Sequence, residues 1–309
     1  MITDQTILIL GAGASADYRY PSGHALVKEI CEGLRDPPRS QFGRDLMAAD
    51  IPENQLRDFG LNMEAAQAGS VDAFLEHRRD FENAGKLSIA RALIPHEKEE
   101  DLYGGWYPYL FNALNTSINE FKLNKFTIIT FNYDRSLEHF LYKTVKNWYG
   151  VSEERAAELV LNIEIIHLHG VLSPLKFLYP NGRQYSPAIS REILTNAAGN
   201  IRVMHEGVHH SVEFKNAIEW LARPDLKNVC FLGFGYHKMN LERLKMRTWG
   251  RARIFCSRHG ITDAELEQIK RLFPPMPAGP VPPMLQFHYD DNGSQALPYL
   301  RSIGILPLS

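Results

Sequence analysis

Cysteine is scarce: the 309 residues hold three, Cys31, Cys230 and Cys256, widely spaced and with no C-x-x-C pair. That argues against a disulfide framework and a cysteine-built structural zinc module, and leaves three small apolar side chains suited to a core. A surplus of one charge is also missing. The 34 Lys+Arg residues stand against 36 Asp+Glu, a net charge of -2, so no global field favours nucleic acid or a membrane surface as partner. No apolar stretch reaches the ~18 residues needed to span a bilayer. The N-terminus has no basic start or cleavage pattern around its short apolar run, so a cytoplasmic protein is expected. Repeats and low-complexity tracts are absent. With 44% apolar and 23% charged residues, the chain has the composition of an ordinary globular protein with a sizeable core.

What recurs is a short, β-rich apolar run: Thr6 to Leu10, Phe126 to Phe131, Ile163 to Leu168 and Val229 to Leu232, then Ala252 to Cys256 and a candidate sixth at Met284 to Tyr289. These runs are near-continuous rather than alternating, as strands covered on both faces are. Helix-like stretches separate them. The alternation predicts an α/β fold with a doubly wound, Rossmann-like, mostly parallel sheet. Residues 37 to 123 interrupt the pattern, too long for a loop, and contain helix-like runs at Val71 to Leu93 and Tyr107 to Phe121. They are read as a helical insertion or subdomain in a sheet domain formed by 1–36 and 124–309. Leu172 to Arg191, with three prolines and an NG pair, reads as a loop or short hairpin. Thr262 and Glu265 form a capping-box pattern for a helix that runs to Phe273, where PPMPAGPVPP stops it and acts as a connector.

Directly after the first predicted strand, Gly11-Ala-Gly13-Ala-Ser-Ala16 fits G-x-G-x-x-G/A, with a helix start near Ser22. Glycines let such a turn approach a pyrophosphate while unpaired amides face the anion. Alone, the pattern is weak. A redox dinucleotide domain would next carry a strand ending in an acidic residue about 20 positions on, but Gly23 to Leu34 has helical apolar spacing instead. A hydride-carrier role loses support.

Ligands of open parallel sheets sit beyond the carboxyl ends of the strands. Three of those ends are polar: Thr130-Phe-Asn-Tyr-Asp134, His167-Leu-His-Gly170 and Gly233-Phe-Gly-Tyr236. In order, GAGAS, TFNYD, HLHG and FLGFGY resemble the sirtuin-like superfamily over residues 7 to 240. The YPSGHALVKEI continuation is similar to the bacterial sirtuin-like proteins of antiphage defence. Two departures separate the chain from protein-deacylating sirtuins: it lacks the four-cysteine zinc module, and Arg19-Tyr-Pro-Ser-Gly-His24 stands where those carry G-I-P-D-F-R. The resemblance therefore implies hydrolysis of NAD, as substrate, at the nicotinamide bond, with no metal. It further implies a homo-oligomer or a partner such as a HerA-type ATPase that restrains the activity.

The residue types suit that chemistry. Nicotinamide leaves neutral, so no general acid is required; the site must stabilise an oxocarbenium-like ribose and activate a water. An imidazole, ordinarily titrating near ~6.5, serves as base, and an asparagine orients the water or a ribose hydroxyl. Family matching assigns the base to His169 and the second role to Asn132. His167, two residues away on the same strand face, is read as a hydrogen-bonded neighbour. By resemblance Gly11, Ala12, Gly13 and Ser15 line the phosphates, and Gly233 and Gly235 admit the adenosine side. Asp134 fits two roles, N-cap of a helix beginning at Arg135 or, by resemblance, contact to the nicotinamide or its ribose.

Other features compete. His205-Glu206-Gly-Val-His209 matches H-E-x-x-H, a zinc hydrolase pattern if helical, but Gly207 weakens a helix and only Glu213 and Glu219 offer themselves as a loose third ligand. Lys238, Arg243, Lys245, Arg247, Arg251 and Arg253 form a basic run around Trp249, read as a solvated helix face before a nucleic-acid or phosphate surface. Tyr103-Gly-Gly-Trp-Tyr-Pro-Tyr109 reads as a lid, a subunit contact or a helix start. A non-catalytic NAD or ADP-ribose sensor is the alternative from outside enzymology.

Overall fold

The computed structural model describes residues 1–203, 211–245, 252–273, 285–286 and 295–307. Six parallel strands form one sheet: β1 (Gln5–Leu10), β2 (Phe126–Thr130), β3 (Glu164–His167), β4 (Leu226–Leu232), β5 (Arg253–Cys256) and β6 (Leu285–Gln286). Their order is β3-β2-β1-β4-β5-β6, that of a Rossmann-like doubly wound sheet. β1 and β2 are buried at every position, which explains their near-continuous apolar sequence; β3, an edge strand, is partly exposed. Of the sixth apolar run, the described strand comprises two residues.

Between β1 and β2 run a 3-10 turn (Ala12–Tyr18) and six helices: α1 (Gly23–Leu34), α2 (Gln41–Ala48), α3 (Glu53–Ala65), α4 (Val71–His77), α5 (Glu82–Leu93) and α6 (Tyr107–Leu114). α7 (Ser136–Tyr149) and α8 (Glu153–Leu161) lead to β3. α9 (Arg191–Asn200) and α10 (Val212–Leu221) precede β4, α11 (Lys238–Arg243) follows it, and α12 (Asp263–Leu272) and α13 (Ala296–Ile303) complete the described chain. Ser22, Ser40, Ser70, Ser152, Ser190 and Ser211 each cap a helix through a side-chain oxygen, and the Thr262–Glu265 capping box is formed. No described helix is long and apolar enough to cross a membrane.

Two predicted helical runs are shorter than their apolar spacing suggested. The Val71 to Leu93 run breaks after α4, where Arg78 leaves the helical backbone (φ −121°, ψ 69°) and its guanidinium is held by Asp80 and Asn62. The run from Tyr107 stops at Asn115, because the Tyr149 hydroxyl engages Asn115 Oδ1 and Thr116 O while Ser117 turns its own side chain to Glu120. Polar partners, near in sequence (Asp80, Glu120) and distant (Asn62, Tyr149), compete with helix continuation in both places.

Each sheet face has its own core. Leu8, Leu10, Ile128 and Leu232 belong to the cluster that also contains Leu34, Phe59, Leu75, Leu87 and Leu110, so the insertion helices share one continuous core with the sheet. On the opposite face, Ile7, Ile9, Ile129 and Phe231 pack with Phe214, Leu241 and Ile269 from α10, α11 and α12. Cys31, Cys230 and Cys256 are free and buried.

Candidate active site

In this strand order the chain departs from β1 to one side, and later to the other through β4. The carboxyl ends of β1 and β4 therefore mark the topological switch point. Here the glycine turn meets the loop after β4. Gly13 N donates to Gly233 O at 2.9 Å, and Gly11 N to Leu232 O at 3.0 Å. A Cβ on Gly233, whose φ is +59°, would lie 2.0 Å from Ala14 N, and one on Gly11 would lie 2.5 Å from Gly233 O. The glycines thus let two backbones touch. This corrects the expectation of unpaired amides: those of Gly11, Gly13 and Ala14 are bound to Leu232 O, Gly233 O and Gly11 O. Gly235 is exposed, with only His237 among the described residues near its missing side chain.

Asn132, just past β2, reaches this turn. Its Nδ2 donates to Gly11 O and to Ser15 Oγ, both at 3.0 Å. A carbonyl can only accept, so the amide nitrogen must face Gly11, and Oδ1 is left as an acceptor. Ser15 in turn donates to Asp134 Oδ2 at 2.7 Å. Asp134 Oδ1 accepts from the amide and hydroxyl of Ser136, which opens α7. Burial pushes the Asp134 carboxyl above its ordinary range, although the hydroxyls of Ser136 and Ser15 oppose the shift. The expected helix-cap role is thus corrected: α7 starts one residue later, at Ser136, with Arg135 at the cap position, and Asp134 holds Ser136 and anchors Ser15 from the residue before.

The two histidines differ sharply. His167 donates from Nδ1 to Asn132 O at 3.0 Å, and its Nε2 is 2.6 Å from Glu138 Oε1. Burial works against charge on this ring, but Glu138 and the Asn132 carbonyl outweigh it and raise its pKa. A ring with both nitrogens committed as donors is a poor base; it braces the main chain of Asn132. His169 is 4% exposed, and neither of its ring nitrogens has a hydrogen bond among the described residues. Phe131 and Tyr133 flank it, with ring centroids at 5.5 and 6.1 Å. Its backbone is fixed by Arg202 N at 2.8 Å and by the Gly170–Ile201 bridge, where the +77° φ of Gly170 favours glycine. Asn132 and His169 thus follow the carboxyl ends of neighbouring strands, one directed to the glycine turn and the other packed against Phe131 and Tyr133.

Sequence reading missed Asp72. It sits in the first turn of α4, its Oδ1 3.4 Å from His169 Nδ1, and it accepts the Tyr133 hydroxyl. It also missed Glu97, whose buried carboxylate holds Arg135 at 2.8 and 2.9 Å, Arg183 at 2.7 Å and Ser186 N at 3.0 Å. That cluster pins the Leu172 to Arg191 segment against the start of α7. Asp72 reads as an ordinary first-turn acid and Glu97 as a connector residue after a short 3-10 turn, so neither carboxylate has a local signature.

The competing features fare differently. Trp106 is buried and donates from Nε1 to Ala14 O at 2.7 Å, while the Tyr18 hydroxyl accepts from Tyr107 N at 2.7 Å. The aromatic stretch thus buttresses the glycine turn and begins α6; only Tyr103 projects strongly into solvent. The basic run is not one solvated face, because Arg243 is buried on Glu76 at 2.8 Å and Arg253 Nε donates to Asn228. Arg247, Trp249 and Arg251 lie outside the described residues, as do His205, Glu206, His209 and the proline-rich connector. Glu213 pairs with Arg202. Comparison with protein-family models and with curated proteins finds no match.

Proposed function

We propose that this chain hydrolyses NAD at the nicotinamide N-glycosidic bond, releasing nicotinamide and ADP-ribose. The observation that carries the reading is that the segments just past neighbouring strands β2 and β3 carry, respectively, an amide whose oxygen accepts no hydrogen bond among the described residues and a buried imidazole that makes none among them. Asn132 Oδ1 orients a water or a ribose hydroxyl. His169 takes the proton as the water oxygen bonds to the anomeric carbon, and the electron pair of the breaking C–N bond departs with neutral nicotinamide. The sirtuin-like motifs put the diphosphate at Gly11, Ala12, Gly13 and Ser15, and the adenosine side at Gly233 and Gly235. With three turn amides already paired, the diphosphate must use other donors or displace those bonds. On the same resemblance we assign the activity to antiphage defence through NAD depletion, restrained by self-assembly or a HerA-type ATPase.

Chromatography of NAD incubated with the pure protein tests this. The expected result is nicotinamide and ADP-ribose in equal amounts, with activity reduced about 10²–10⁴-fold in Asn132→Ala and His169→Ala while NAD binding persists. A wild-type protein that binds NAD and cleaves none, alone or assembled, would instead be a sensor.

A further inference from the structure

Asp72 comes from the insertion, far in sequence from the strand ends, yet it is the carboxylate beside His169. The Ser70 cap on Ala73 N sets the first turn of α4 and so the position of Asp72. Facing a carboxylate, which can only accept, the neutral imidazole keeps its proton on Nδ1 and its lone pair on Nε2. At 3.4 Å the contact is longer than an ordinary N–H···O bond, as catalytic contacts without substrate often are. A buried polar atom without a partner forfeits its hydration, so an imidazole kept this way invites a ligand at the other nitrogen.

We propose that Asp72 is the positioning residue for His169, fixing the tautomer that exposes the Nε2 lone pair and balancing the charge the ring acquires, so that the insertion completes the site. This rests on the glycohydrolase reading for the proton's source, the attacking water; the Asp72–His169 pairing itself needs no substrate. Burial alone would raise the pKa of Asp72, but His169 and Tyr133 outweigh it and the net shift is downward, which keeps the carboxylate charged at neutral pH. Tyr133 competes for the same oxygen, tempering its pull on the ring. Among the described residues the titratable groups facing the ring are Asp72 from α4 and Tyr133 from the β2–α7 connection; His167 is engaged by Glu138, and the segment after α9 contributes the Arg202 backbone amide.

The test uses the full chain. Asp72→Asn should lower kcat for NAD about 10²–10⁴-fold with KM nearly unchanged. It should also move the acid limb of kcat to lower pH, because the imidazolium loses its counter-charge. Asp72→Glu should recover part of the loss. Tyr133→Phe should move the limb the other way, and it carries the test if Asp72→Asn fails to fold. Nitrogen NMR of the ring without NAD should show the Nδ1–H tautomer in the wild type and a mixture in Asp72→Asn. Unchanged tautomer and unchanged limb in the folded variants would overturn the assignment. If the tautomer depends on Asp72 but the wild type cleaves no NAD, the glycohydrolase reading falls and the pairing stands.

Discussion

Replacing Gly233 by alanine isolates what the contact between the glycine turn and the β4 loop contributes. The new Cβ would meet Ala14 N at 2.0 Å and Gly13 C at 2.3 Å, both backbone atoms that no rotamer change can move. Two costs add: about 1–2 kcal/mol for a side chain at positive φ, and about 1–3 kcal/mol for forcing packed groups apart. Gly150, at the end of α7, is the matched control, since its φ of +62° is nearly the same as the +59° of Gly233 and nothing lies within 4 Å of its missing Cβ. Gly150→Ala should therefore show the first cost alone. At roughly 2 °C per kcal/mol for a chain of this size, Gly233→Ala should lower Tm by about 4–10 °C and Gly150→Ala by about 2–4 °C, read by circular dichroism. Because Asn132 holds Gly11 O, spreading the turn should also disturb the amide, so NAD cleavage should fall further in Gly233→Ala than in the control. Equal losses of Tm in the two variants would refute the idea that the backbone contact constrains this turn.

Two other perturbations test buried electrostatics. Glu97→Gln removes the carboxylate that neutralises Arg135 and Arg183 and should cost about 3–5 kcal/mol in urea unfolding, with faster amide exchange through Leu172 to Arg191; a variant as stable as wild type would remove Glu97 from its central role. Glu138→Gln acts through pH. The raised pKa of His167 contributes stability that is complete below its unfolded value of about 6.5 and drains as pH rises through the folded value, so the substitution should cost more at about pH 6 than in alkali. An equal cost at both would mean that the ring carries no extra proton in the fold.

The strands were legible because burial on both faces leaves a near-continuous apolar run, and the helix starts because serine and threonine caps have a local chemical cause. Ser22 and the Thr262–Glu265 box announce α1 and α12 by this device. The breaks at Arg78 and Asn115 were not legible, since Asn62 and Tyr149 reach them from other helices. The same limit explains the site. Asn132 and His169 follow strand ends whose polarity stands out within the strand itself, whereas Asp72 looks like an acid placed to suit a helix dipole until α4 brings it to the segment that follows β3. The glycine turn showed the reverse failure: its pattern advertises an anion, yet part of its backbone capacity is spent on the neighbouring loop.

That the insertion and the sheet bury one continuous set of side chains has a consequence for dissection of the gene. Splicing β1 and α1 straight to β2 would strand Leu8, Leu10 and Ile128 against water and discard the carboxylate beside the imidazole in the same cut. The long excursion is masonry shared by two rooms, and neither stands after the wall is removed.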